Sequence, residues 1–157
     1  MRLYVFRHGA AERTSPGGDP GRRLVPKGRE KTYCVAQFVK KKINPEVIIS
    51  SPYIRAVETA RVIADAIGFR KKIEEAQCLT PGSDILDTIA ELQAYKEDEI
   101  LIVGHNPHLS ELISELVSNG SLRFDMKKAA LAAIDFDESI RQGNGYLLWI
   151  LTSGLCE

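Results

Sequence analysis

The sequence predicts an α/β fold: a three-layer sandwich with a mainly parallel central sheet, helices on both faces, and one domain spanning residues 1–157. Three observations carry that reading. Leu3 to Phe6, Glu46 to Ser50 and Ile100 to Val103 are short runs rich in apolar β-formers without alternation, the pattern of strands buried on both faces. Each is followed, after a loop, by a segment of helical spacing, and strand alternating with helix means crossover units. At 157 residues the chain is long enough to bury one substantial core.

In chain order, Leu3 to Phe6 is the first strand. Arg7 to Val25 holds Gly9, Pro16, Gly17, Gly18, Pro20 and Gly21 and reads as a long loop; loops of that length inside a domain are usually functional or disordered. Pro26 suits a helix's first turn, and Tyr33, Val35, Ala36, Phe38 and Val39 form a stripe ending in Lys40, Lys41 and Lys42. After the second strand, Pro52 opens a helix running to Ile67 and closed by Gly68. Ile73 to Leu79 is expected as a strand and Asp84 to Tyr95 as a helix, from the spacing of Ile85, Leu86, Ile89, Ala90 and Leu92. Pro107 to Ser118 is the helix after Ile100 to Val103. Leu131 to Phe136 and Tyr146 to Thr152 are strands, expected as antiparallel neighbours through Gly143-Asn144-Gly145. Neither repeat nor linker interrupts this order.

Composition excludes several classes. Lys plus Arg equals Asp plus Glu, 21 each, so the basic excess of an extended nucleic-acid face is missing. A single anion site remains open, because a few arginines suffice for one phosphate. No apolar run reaches the ~20 residues of a membrane helix. The N-terminal strand meets Arg7 too soon for a signal-peptide core. Cys34, Cys78 and Cys156 are odd in number and widely spaced, as expected of reduced thiols in a cytoplasmic protein.

Parallel sheets bind ligands beyond the carboxyl ends of their strands, and three motifs fall there. Arg7-His8-Gly9 follows the first strand, Ser50-Ser51-Pro52 with Arg55 the second, and Gly104-His105-Asn106-Pro107-His108 the strand ILIV. Two helix N-termini point at the same place, adding backbone donors and positive dipole ends. Two guanidiniums can clamp the equatorial oxygens of a phosphoryl group. A neutral imidazole has one lone pair able to attack phosphorus, and a second can donate to an oxygen gaining charge. Gly9, lacking Cβ, lets the backbone turn tightly beside the ligand. This chemistry requires neither metal nor cofactor. Each motif alone carries little weight; their coincidence at strand ends points to a phosphate site.

These segments resemble the histidine phosphatase superfamily, which includes phosphoglycerate mutase-like enzymes, and among them the SixA-type phosphohistidine phosphatases most. "LYVFRHGAAE" resembles the opening strand and RHG motif, implying Arg7 as phosphate ligand and His8 as nucleophile. "SSPYIRAVETARVIA" resembles the S-x-x-x-R-A-x-x-T-A motif, implying Arg55 as second clamp. "ILIVGHNPHLSEL" resembles the G-H-N-P segment, implying His105, and "DPGRRLVPKG" places Asp19, Arg22 and Gly28 at matching positions. The resemblance implies catalytic Arg7, His8, Arg55 and His105, and substrate contacts from Gly9, Arg22 and Asn106. It implies a phosphoglycerate mutase-like fold, a covalent phospho-His8 intermediate and no cofactor. The partner it implies is a phosphohistidine-bearing signalling or phosphocarrier protein, with no nucleic acid or membrane involved.

The chain departs from the family pattern at Arg23, Val25 and Glu58, where Pro, Thr and Gln are common. More telling, many relatives carry a general acid after the third strand, under an inserted subdomain. Here that region offers Glu74, Glu75 and Asp84 in no matching pattern, and there is no sequence for a large lid. An alkoxide leaves with difficulty without an acid, whereas an imidazole leaving a phosphohistidine needs little help. Thr59 and Ala60 read as helix packing. His108 reads as a polar residue of the helix's first turn rather than a metal ligand, and Tyr146 and Trp149 as core aromatics. Asp19 and Arg22 either pair to order the loop or lend Arg22 to the substrate. The alternatives are a phosphatase or mutase acting on small phosphate esters, a non-catalytic phosphate-binding module, and a metal hydrolase.

Overall fold

The computed structural model describes residues 1–156. Its strands are β1 (Arg2–Arg7), β2 (Val47–Ser50), β3 (Glu74–Glu75), β4 (Glu99–Gly104), β5 (Leu131–Asp135) and β6 (Tyr146–Leu151). Its helices are α1 (Pro26–Val39), α2 (Ile54–Ile67), α3 (Ile85–Leu92) and α4 (His108–Ser118). The strands form one six-stranded sheet in the order β3-β2-β4-β1-β5-β6. The pairs β3–β2, β2–β4 and β4–β1 are parallel, and β5 runs antiparallel to both β1 and β6. The expected α/β sandwich, with a mainly parallel sheet, is the architecture found.

The unbroken apolar runs have a direct structural reason. Leu3 and Val5 of β1 and Ile100 and Ile102 of β4 enter one core, with Ile89 and Leu92 of α3 and Leu109, Leu112, Ile113 and Leu116 of α4. Their strand neighbours Tyr4, Phe6, Leu101 and Val103 enter the opposite core, with Val35, Ala36 and Val39 of α1 and Ala56, Ala60 and Ile63 of α2. Side chains alternate across a strand, so each position in these runs meets a helix layer. Burying each large one is worth ~1.5–3 kcal/mol.

The third strand is shorter than expected. Only Glu74 and Glu75 pair with β2, and Gln77–Leu79 form a 3-10 turn instead. Two exposed glutamates cannot continue a buried edge, so the chain turns inward to bury Ala76 and Leu79. Helix α2 begins two residues after Pro52, with Tyr53 extended as its N-cap. Helix α3 starts after Asp84, whose carboxylate accepts from Asp87 N, and ends at Leu92 rather than Tyr95.

Candidate active site

Register brings the three motifs together. In the parallel trio, Arg7 of β1 is level with Gly104 of β4, and Ser50 of β2 with Val103 of β4. The next residues, His8, Ser51 and His105, therefore leave the sheet side by side. Their exit is fixed by hydrogen bonds from His8 N to Gly104 O at 3.0 Å and from Ser51 N to Val103 O at 2.9 Å. The two imidazoles lie with ring centroids 5.1 Å apart, and both are buried.

The orientation of His8 follows from its partners. Nδ1 faces the carbonyl of Gly9 at 2.7 Å, and a carbonyl only accepts, so Nδ1 carries the proton. Nε2 is left with its lone pair, which accepts from Arg55 Nε at 3.3 Å. Gly9 is required by close approach: a Cβ there would stand 2.7 Å from Gly28 O and 2.8 Å from Thr32 Oγ1. A Cβ on Gly28 would strike the carbonyl of Ala10. These two glycines let the loop after His8 cross over the start of α1.

Thr59 ties the loop after His8 to α2. Its hydroxyl accepts from Gly9 N at 3.1 Å and donates to Arg55 O at 2.7 Å. Arg55 is 4% exposed; NH1 donates to Asp19 O at 2.8 Å and NH2 to Asp19 Oδ2 at 3.2 Å. Arg7 donates from NH1 to Met126 O, and its Nε is buried without a protein partner. His105 Nε2 sits 2.7 Å from Ser51 Oγ, and its Nδ1 is likewise buried and unpaired. Tyr53 packs edge-on against His105 with centroids 5.1 Å apart, and the Arg55 guanidinium lies 5.2 Å from the Tyr53 ring centre.

Burial first, then the cations Arg55, Arg7 and Lys128, push the His8 imidazolium down to about 4 from 6.5. Burial, followed by His8 and Arg55, pushes His105 down to about 2. Both rings are therefore neutral at neutral pH. An NMR titration of the His8 ring is expected to show its midpoint near 4. Arg55→Gln should raise that midpoint only part-way, since burial is the larger cause; a midpoint near 6.5 would contradict the assignment. Linkage has a matching sign: the unfolded chain takes up this proton near 6.5 and the folded chain only near 4, so stability falls as pH drops through that window.

Other sequence candidates sit differently. Arg22 pairs with Asp19 at 2.8 Å and donates to Glu12 O, one side chain removed from Arg55. Asn106 donates to Asp125 Oδ1 at 3.2 Å and Met126 O at 3.1 Å, and accepts from Ser110 N. Its side chain thus fastens the 125–126 segment to α4. Glu74 accepts from the Tyr95 hydroxyl, Asp84 caps α3, and Glu75 lines a groove with Val57, Arg61, Lys71 and Lys72. His108 stands in the first turn of α4, as expected, and is buried, with Nε2 3.0 Å from Thr88 Oγ1. Glu58, at the position where Gln is common, accepts from Leu24 N at 2.8 Å and pairs with Arg23 and Arg29. Among the described residues no group of three or more His, Cys, Asp or Glu is placed to hold a metal ion. A surface groove of about 500 Å³ lies at the 137–146 turn and contains none of the site residues.

Residues 3–80 match the model of the histidine phosphatase superfamily (branch 1). The phosphohistidine phosphatase SixA homolog of Haemophilus influenzae is 30% identical over 127 residues, 74% of this chain and 77% of that protein. The chain belongs to the histidine phosphatase superfamily. Phosphohistidine phosphatase SixA of Escherichia coli is 29% identical over 153 residues, covering 95% of this chain and 92% of that one. The solved structure of the protein histidine phosphatase SixA complexed with tungstate superposes with a TM-score of 0.91 over 100% of both chains, at 27% identity. Sequence reasoning about this superfamily member passed over Ser51, Tyr53, Lys128 and the 125–126 segment. Ser51 and Tyr53 lay inside a motif already singled out; nothing in the sequence links residues 125–128 to His8.

Proposed function

We propose that this chain is a phosphohistidine phosphatase acting through a covalent phospho-His8 intermediate, on a phosphohistidine-bearing signalling or phosphocarrier protein in the cytoplasm. The observation that carries the reading is the His8 tautomer: Nδ1–H held by Gly9 O, which leaves Nε2 unprotonated with its lone pair turned to Arg55 Nε. The family, and SixA-type relatives matching nearly the whole chain, support it.

In the first step His8 Nε2 attacks phosphorus and the substrate's P–N bond breaks. The substrate ring leaves as neutral imidazole when its other nitrogen already bears a proton. Arg55 and Arg7 hold the equatorial oxygens, and His105 donates as charge builds. The unpaired nitrogens Arg7 Nε and His105 Nδ1 suit this role, since a buried polar group without a partner costs ~1–3 kcal/mol. Phospho-His8 keeps its Nδ1 proton on Gly9 O, and its ring is therefore cationic beneath the anionic phosphoryl group. In the second step water attacks phosphorus, and His8 departs as neutral imidazole with no acid at the bridging atom. Orthophosphate leaves with the water's protons.

Glu74 and Asp84 are engaged elsewhere and Glu75 lines a groove that contains none of the site residues, so rate should track leaving-group basicity. The test is log kcat/KM against leaving-group pKa across phosphohistidine protein, aryl phosphates and alkyl phosphates. A steep slope is expected, with phosphohistidine fastest and sugar phosphates and phosphoserine poor. A flat plot, with a loss of ~10²-fold on replacing Glu74, Glu75 or Asp84, would transfer the assignment to small esters.

A further inference from the structure

We infer that Asp19 is the resident anion of the phosphate clamp: it holds Arg55 while the site is empty and yields to the phosphoryl group, setting how tightly phosphate is held and how readily it leaves. The inference rests on the reading of Arg55 as a phosphate ligand.

Every nitrogen of Arg55 already has a partner: Nε on His8 Nε2, NH1 on Asp19 O and NH2 on Asp19 Oδ2. Arg55 can present its planar fork to phosphoryl oxygens only by surrendering the contacts to Asp19. The two partners are unequally anchored. The Arg55 side chain is 5% exposed and that of Asp19 49%, so the carboxylate is the half able to move.

The local chain suits such a movement. Asp19 opens a three-residue 3-10 turn whose N-cap, Gly18, has φ 71° and ψ −163°, backbone essentially restricted to glycine. Its other oxygen, Oδ1, is held by Arg22 NH1 at 2.8 Å, and Arg22 is itself anchored on Glu12 O. Asp19 therefore keeps one cation when it releases the other, and no charge is stranded. Arg22, then Arg55, hold its carboxyl below the ordinary range. It is ionised at neutral pH and competes as an anion rather than serving as a proton donor. An anion that competes equally with bound substrate and product weakens ground-state binding.

The experiment is calorimetric binding of orthovanadate and inorganic phosphate to the full chain and to Asp19→Asn, Asp19→Ala and Asp19→Glu. Loss of a charged hydrogen-bonding competitor should tighten both anions about tenfold in the Asn and Ala variants. Asp19→Glu, which restores a carboxylate, should return towards the parent value. In turnover, KM and the phosphate inhibition constant should fall together and kcat/KM should rise by a similar factor. Unchanged or weaker vanadate binding in Asp19→Asn, with the thermal midpoint retained, would overturn the inference. If the parent binds vanadate and loses it on Arg55→Lys while the Asp19 variants do not tighten, only this inference fails. If the parent does not bind vanadate at all, the reading of the clamp fails with it.

Discussion

His8→Ala is expected to lower kcat by ~10⁴-fold or more, the scale of removing a covalent nucleophile from a site whose groups act as a unit. Among the described residues it is the only imidazole whose Nε2 faces an arginine, at 3.3 Å from Arg55 Nε. His105 Nε2 is occupied with Ser51 Oγ and His108 Nε2 with Thr88 Oγ1. The substitution leaves both arginines, so vanadate should still bind. Single-turnover reaction with labelled phosphohistidine protein, quenched without acid, should place one phosphate on the peptide containing His8. That label should be acid-labile and alkali-stable. Label on His105 or on a serine, or none, would sink the covalent mechanism.

Much of this site was legible because its parts are local. Arg7-His8-Gly9, Ser51-Pro52 with Arg55, and Gly104-His105 each follow a recognisable strand, and the rule that parallel sheets gather ligands at carboxyl ends brings them together. The structure adds what locality hides. Register decides that His8 and His105 emerge level, with Ser51 one residue behind them, because β1 and β2 flank β4 although β4 comes last of the three in sequence. The antiparallel β5 beside β1 sets the 125–130 segment against Arg7 and His8, through Arg7 NH1 on Met126 O and Ala129 N on Arg7 O. No residue type in that segment announces the contact.

Two residues stand where they were expected but make bonds that periodicity does not show. Thr59 has the spacing of a packing residue and is fully buried, yet its hydroxyl links Gly9 N to Arg55 O. A periodicity argument sees the burial and not the two bonds. His108, three residues after His105, is also on the inner side of α4, where Thr88 meets it. A strand was expected over Ile73 to Leu79. The two glutamates that do pair sit on an exposed edge, and the apolar ones turn into the core.

Arg55→Lys is expected to lower kcat/KM by ~10²-fold or more. The Arg55 guanidinium makes three contacts from three nitrogens in one plane, to His8 Nε2, Asp19 O and Asp19 Oδ2. A lysine ammonium is a point charge and cannot present a planar fork to two phosphoryl oxygens together. Each charged hydrogen bond to phosphate is worth on the order of 1.5–3 kcal/mol, and more where charge grows in the transition state. Losing one or two therefore reaches ~10²-fold at 1.36 kcal/mol per factor of ten. Arg7→Lys should cost as much for a different reason. Arg7 is braced by Met126 O, with Asp125 3.9 Å away, and its buried Nε has no protein partner; a lysine there has no equivalent of Nε to offer. The two variants are distinguishable in the free enzyme. Arg55→Lys alters the Nε2 environment of His8, so the His8 ring resonances should move more than in Arg7→Lys. Vanadate affinity should fall in both. Full activity in either lysine variant would show that its arginine does not grip the phosphoryl group.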